Sequence, residues 1–305
     1  MKVFSSHDKI QQFLKEQNID GVTVTDKLSE CNFLISGRYT QEKYNLNLKG
    51  VIIPYTGHNG IDLAAMREKD VMLFVTPTRS KYVAEKAISL TLSLLGNVIN
   101  YDQLLRIGKW AERNTDSRTP WVSLQNKSIG LYGYGRIGKT IHKMLKGFGC
   151  DFYTIDRSKE YPSDITPVKN LTNLIQMSEV LIISAPLNES TEGMFNEQRF
   201  RRMKNKFLIN VGRGKIVDEE ALYNALTNNT LRGYASDVWY TYPKGKEDQL
   251  PSNYPLHELP NVVLSNHSGG YTENTNKEVN KDLIETIIKL RDKNYEDKLD
   301  LKNLL

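Results

Sequence analysis

At 305 residues the chain exceeds the usual span of one hydrophobic core, so two domains are expected. Charged residues make up 25% and apolar residues 39%; no apolar run approaches the roughly 18 residues that cross a bilayer, and MKVFSSHDKIQQFLKEQ is too polar for a secretory signal. The 41 Lys and Arg against 36 Asp and Glu are scattered, not blocked, which favours solubility or small anionic metabolites over nucleic acid as partners.

A cytoplasmic protein with no membrane partner follows. Cys31 and Cys150 lie far apart without metal-ligand spacing. Reduced thiols are expected, with neither a disulfide framework nor a metal.

Along the chain, GVTVTD, GVIIPYTG and VMLFVTP are short β-rich runs, followed by the amphipathic stretch YVAEKAISLTLSLLGN. That alternation predicts βαβ units and parallel sheets. Residues 108–126, GKWAERNTDSRTPWVSLQN, are polar and turn-rich, and read as a connection or as an arm packing against a partner. A second α/β series then begins: SIGLYGYG, a helix through RIGKTIHKMLKGF, CDFYTIDR, VLIISAPL, KFLINVGRG, a helix DEEALYNALTN, LRGYASDVW and NVVLSNH. The last segment, TENTNKEVNKDLIETIIKL, is helical by periodicity, with Thr272 as its expected N-cap.

The strongest local motif is Gly133-Tyr134-Gly135-Arg136-Ile137-Gly138, a GxGxxG turn directly after the strand SIGLY and opening a helix. Glycines there permit a tight turn, let the backbone approach a pyrophosphate and allow close helix–strand packing; the helix N-terminus meets the phosphate charge. The next strand ends in Asp156, 18 residues after the last glycine, where a carboxylate accepts hydrogen bonds from a ribose 2′-hydroxyl and repels a 2′-phosphate. NAD is therefore the expected cofactor. Arg157 and Lys159 follow at once, which leaves NADP open, although an arginine there can equally stack on adenine.

Three further stretches, INVGRG (209–214), SDVWYTYP (236–243) and SNHSGG (265–270), each fall at the carboxyl end of a predicted strand, where open α/β sheets present ligands. Arg213 between two glycines invites an anion. His267 is a candidate proton donor. Taken singly, each is better read as a solvated loop arginine and a capping or core histidine; behind a dinucleotide fold the balance reverses and they read together as a site.

YTGHNGID, VAE at 83–85, GYGRIG with TIDR, SAPLNEST, MKNKFLINVGRGKIVDEEAL, DVWYTYP and PNVVLSNHSGG stand in one order and spacing that resembles the D-2-hydroxyacid dehydrogenase family. That family includes phosphoglycerate, glycerate and glyoxylate/hydroxypyruvate enzymes and the NAD-dependent formate dehydrogenases. The resemblance implies an α/β fold of two Rossmann-like, doubly wound parallel-sheet domains, one flavodoxin-like and one NAD-binding. The substrate domain would comprise 1–94 and 272–305, with the NAD domain, 95–271, inserted.

It further implies hydride transfer between nicotinamide and C2 of a 2-hydroxy or 2-keto acid, in a homodimer of the short members that lack a C-terminal regulatory domain. Arg213 would bind the substrate carboxylate and His267 would exchange the proton. Backbone amides of Thr56, Gly57 and His58 would hold the carboxylate. Asp237 would face the nicotinamide side, with His267 and Gly269 of the adjoining turn; Pro186 and Thr191 would lie in a cofactor loop, and Val211 and Gly212 would line the nicotinamide pocket.

Two positions depart from the family. Where it writes DVFxxEP, with a glutamate that hydrogen-bonds the histidine, this chain has Tyr242. A phenol can orient an imidazole but carries no charge near neutral pH, so Tyr242 is expected to leave the His267 pKa low; the alternative is that Tyr242 packs while Glu247 or Glu258 supplies the charge. Arg79 stands at the family's substrate-contacting asparagine, where it suits a second anionic group or is simply exposed. Loss of the glutamate also keeps open a catalytically weak NAD(H)-binding sensor or scaffold.

Overall fold

The computed structural model describes residues 1–40, 43, 46–55, 57, 60–110 and 121–301. Chain contacts divide it into two compact units, Met1–Ser80 with Gly270–Leu305, and Lys81–Gly269. Each is built on a wholly parallel sheet, which requires crossover helices and burial on both faces.

In the first unit the strands are β1 (Lys2–Ser5), β2 (Thr23–Val24), β3 (Phe33–Ile35), β4 (Gly50–Ile53) and β5 (Met72–Val75), in the order β2-β1-β3-β4-β5. Alternate residues of each strand enter different cores, as a pleat of period two dictates. Leu34, Val51, Ile53 and Leu73 join Leu63, Ala65 and Met66 of α2 (Leu63–Glu68). Phe33, Ile35, Ile52 and Phe74 join Leu14 of α1 (Asp8–Glu16) and a stripe from the last helix: Val279, Leu283, Ile287 and Leu290. Helical spacing of that stripe ties the end of the chain to its beginning. β1 and β3, which no extended apolar run marks in the sequence, complete the sheet between β2 and β4.

The last helix runs Thr275–Arg291, two residues later than an N-cap at Thr272 requires, with Asn274 as its N-cap. Thr272 donates its backbone N–H to Thr275 Oγ1 at 2.7 Å, and Thr275 N–H donates to the Thr272 carbonyl at 3.2 Å. This closed turn engages the groups that an N-cap would have offered to a helix.

The second unit has β6 (Ser128–Tyr132), β7 (Asp151–Ile155), β8 (Ile165–Val168), β9 (Val180–Ile183), β10 (Lys206–Asn210), β11 (Leu231–Ser236) and β12 (Val262–Leu264), in the order β12-β11-β10-β9-β6-β7-β8. The order reverses between β6 and β9, a switch point for ligands. Val180, Ile182, Phe207 and Ile209 face Ile141 and Leu145 of α5 (Arg136–Leu145) and Ala84, Ala87, Leu90 and Leu94 of α3 (Arg79–Leu95). Leu181, Ile183 and Leu208 face α6 (Leu171–Met177) and α8 (Glu219–Thr227). α3 buries its apolar face here, and by chain contacts the second unit begins near the start of that helix, at Lys81. Asp218 caps α8, its carboxylate accepting the Ala221 N–H at 2.8 Å.

Candidate functional site

At the end of β6 the chain turns through Gly133 at φ +104° into α5. A side chain on Gly133 would meet the Ala185 backbone nitrogen at 2.6 Å, and one on Gly138 would meet the Gly133 carbonyl oxygen at 2.2 Å. Gly135 is different, since a Cβ there would meet nothing within 4 Å. Two glycines thus serve packing of the turn, and the middle one keeps open the cradle that a pyrophosphate fits.

Asp156 follows β7, exposed, with Oδ1 accepting the Ser158 N–H at 2.9 Å. Arg157 is exposed and its N–H donates to the Tyr161 hydroxyl. Lys159 donates to the Tyr134 carbonyl at 3.3 Å and lies over the rings of Tyr134 and Tyr161. Burial, then the charges of Lys139 and Arg157, lowers its pKa. After β9, the buried Thr191 hydroxyl donates to the Pro186 carbonyl at 2.8 Å, which closes that loop. The residues present fit a dinucleotide: a glycine cradle at a helix N-terminus, and a carboxylate at the end of the neighbouring strand.

The opposite half of the same sheet carries a second cluster of polar and charged groups. Asn210, fully buried at the end of β10, accepts the Gly212 N–H through Oδ1 at 3.0 Å and donates from Nδ2 to the Arg213 carbonyl at 3.0 Å. It holds Val211, Gly212 and Arg213 in one bend. Sequence reasoning passed over Asn210; a polar residue ending the apolar run KFLIN was the available signal. The Arg213 guanidinium donates to the Gly212 carbonyl at 2.7 Å, and burial lowers its pKa.

Asp237, 3% exposed just past β11, accepts from Ser265 Oγ at 2.6 Å, from the Ser268 N–H at 3.1 Å and from the Gly269 N–H at 2.8 Å. This carboxylate therefore clamps the turn carrying His267, whose backbone sits at φ +58°. A non-glycine residue in that region is strained, and the three bonds to Asp237 on either side hold it there.

Tyr242 lies against His267, ring centroids 5.4 Å apart and planes at 47°. Its hydroxyl accepts the Trp239 N–H at 2.9 Å, so the contact with the imidazole runs through the ring. Burial lowers the His267 pKa, Asp237 raises it and Arg213 lowers it again. Neither alternative acid is turned to the histidine: Glu247 accepts the Lys244 N–H at 2.8 Å, and Glu258 lies 3.6 Å from His257. Burial also keeps the Tyr242 phenol neutral by raising its pKa.

Arg213, Asp237, Tyr242, His267 and Gly269 are thus brought together in the second unit. Gly57 and Arg79 belong to the first, and Thr56 and His58 lie outside the described residues. Among the described residues no helix is long and apolar enough to cross a membrane.

The family model for the D-isomer specific 2-hydroxyacid dehydrogenase NAD binding domain matches residues 88–269. A glyoxylate reductase of Thermofilum pendens is 32% identical over 232 residues, 74% of this chain and 67% of the relative. The solved structure of an acyclic imino acid reductase (Bsp5), in complex with NADPH and D-Arg, is 25% identical, with TM-score 0.79 over 98% of this chain and 100% of that one. The PH0520 protein of Pyrococcus horikoshii OT3 shares the fold at TM-score 0.82 and 24% identity, over 98% and 95% of the two chains. Two parallel-sheet α/β domains, the glycine cradle and the matched segment make this chain a member of the D-isomer specific 2-hydroxyacid dehydrogenase family.

Proposed function

We propose that the protein is an NAD-dependent oxidoreductase that interconverts a 2-keto acid and its D-2-hydroxy acid. The observation that carries this reading is the Asp237 clamp, which fixes a strained His267 in the same cluster as Arg213, on the sheet that also holds the glycine cradle. Gly133, Gly135, Arg136, Ile137 and Gly138 would hold the pyrophosphate and Asp156 the adenosine ribose, with Arg157 beside it; Pro186, Thr191, Val211 and Gly212 would border the nicotinamide. When bound, the cofactor supplies or accepts the hydride at C2.

Arg213 pairs with the substrate carboxylate in this reading, and its developing contact with the carbonyl oxygen stabilises the charge that grows there. His267, protonated, gives its proton to that oxygen during reduction and recovers it during oxidation. Asp237 acts on this step by orienting the turn and by favouring imidazolium.

The test is a panel of 2-keto acids, glyoxylate included, assayed with NADH and with NADPH. Turnover with NADH is expected, and Arg213→Ala should lower kcat/KM by about a hundredfold, the scale of a charge-assisted bond pair. NADH binding without turnover of any 2-keto acid would instead favour a sensor or scaffold.

A homodimer goes with this reading. Val98, Ile99 and Leu105 of α4 (Val98–Arg106), with Ile107, Trp110 and Trp121, leave an exposed apolar face that a second copy would cover. Sedimentation should give twice the chain mass, and Ile107→Glu should shift it toward the monomer; a monomeric parent protein rules this out.

A further inference from the structure

Between the first two glycines of the turn after β6 stands one side chain, Tyr134. Its neighbours leave the backbone free: Gly133 sits at φ +104°, and a Cβ on Gly135 would meet open space. Residue 134 is fixed instead through its own side chain. The ring is buried, and its hydroxyl lies 2.8 Å from Nδ1 of His142, further along α5.

His142 is itself buried, edge-on to Phe152 of β7 with ring centroids 4.5 Å apart. Its Nε2 lies 3.4 Å from the carboxylate of Asp164, just before β8, in a contact too poorly aligned for a hydrogen bond. Asp164 pairs in turn with Lys146 at 2.5 Å. Among the described residues, Asp164 and Lys146 are the charged groups that act on the imidazole; the turn presents the Tyr134 phenol to it and β7 the Phe152 ring. Tyr134 also packs on Tyr161, centroids 5.8 Å apart, whose hydroxyl accepts the Arg157 N–H at 2.9 Å. One side chain thus links the glycine turn to the strand end that carries Asp156.

The nearby carboxylate favours the imidazole proton on Nε2, which leaves Nδ1 to accept from the phenol. Burial raises the Tyr134 pKa and keeps that phenol neutral. Burial also lowers the His142 pKa, with Asp164 opposing and Lys146 assisting. A proton added at Nδ1 would remove the acceptor and strand a buried O–H, so the neutral ring is the form that satisfies the pair.

We infer that His142, acting through the Tyr134 hydroxyl, is a positioning residue for the dinucleotide cradle: its neutral ring holds residue 134 in the bend that admits a pyrophosphate, and its protonation releases that bend and weakens binding. The inference rests on the cradle reading of the glycine turn and is independent of the 2-keto acid.

The probe is ADP-ribose, which has the pyrophosphate and the adenosine but no nicotinamide for His267 to face. Calorimetric titration of the full chain between about pH 8 and about pH 5 brackets the histidine range. Affinity in the parent protein should be level at the upper end and fall about tenfold toward the lower, as pH drops through a His142 pKa below the ordinary histidine value. His142→Asn offers an acceptor oxygen near the place of Nδ1 and takes no proton, so it should match the parent at the upper end and stay level. Tyr134→Phe keeps the ring and should bind about tenfold more weakly at the upper end, with no further loss in acid.

A falling limb retained by His142→Asn overturns the inference. So does a Tyr134→Phe protein that unfolds at lower temperature yet titrates ADP-ribose like the parent, since the hydroxyl would then serve stability alone. A parent protein that does not bind ADP-ribose refutes the cradle reading and this inference with it; one that binds ADP-ribose but turns over no 2-keto acid refutes the dehydrogenase reading, and the pH titration still decides this one.

Discussion

At the scale of single residues, Tyr242 marks the departure of this chain from its family. In the proposed reaction, carbonyl reduction would need protonated His267, and burial favours the neutral ring. Activity in the reductive direction should therefore fall as pH rises through a pKa below the ordinary histidine value. Tyr242→Glu places a carboxylate beside the imidazole and should move that falling limb up by about one unit or more; a superimposable pH profile of kcat/KM would show that residue 242 does not govern the histidine. The sequence reveals that the glutamate is replaced. It cannot reveal that the phenol hydroxyl is engaged by the Trp239 amide, because that bond depends on how residues 239–242 turn after β11.

At the scale of elements, the β6–turn–α5 unit was legible as a motif, while the duties of its three glycines were not. Gly138→Ala would drive a methyl into the Gly133 carbonyl and should cost roughly 1–3 kcal/mol of stability, read in a denaturant titration. Gly135→Ala meets open space, so unfolding should be unchanged while NADH binding weakens about tenfold, if that space is where the pyrophosphate approaches. Equal unfolding midpoints for the two variants would contradict this division. The same contrast holds for the strands. Longer apolar runs announce themselves, whereas β1, β3 and β8 depend on neighbours in the sheet for their extended conformation.

On the whole-molecule scale, the last helix covers one face of the first unit's sheet. Leu283 is fully buried there, and Leu283→Ala should destabilise that unit by about 2–5 kcal/mol. All three tryptophans, Trp110, Trp121 and Trp239, belong to the second unit, so their fluorescence reports it alone, while far-ultraviolet circular dichroism reports both. The substitution should lower the dichroism midpoint and leave the fluorescence transition in place if the units unfold separately; coincident shifts would show that they unfold as one.

By itself the sequence determined the class of fold, the family and the residue types at the site, because hydrophobic periodicity and glycine spacing are local properties carried along a short stretch of chain. Tertiary structure decided what depends on residues far apart in sequence. Asp237 meets Ser268 and Gly269 only when β11 and β12 pair, and Asn210 braces Arg213 only at the end of β10. Arg79 meets Tyr271 only after the intervening 191 residues return the chain to the first unit. Hydrogen bonds and ring contacts are short-ranged, so no spacing along the chain specifies them until the sheets have formed.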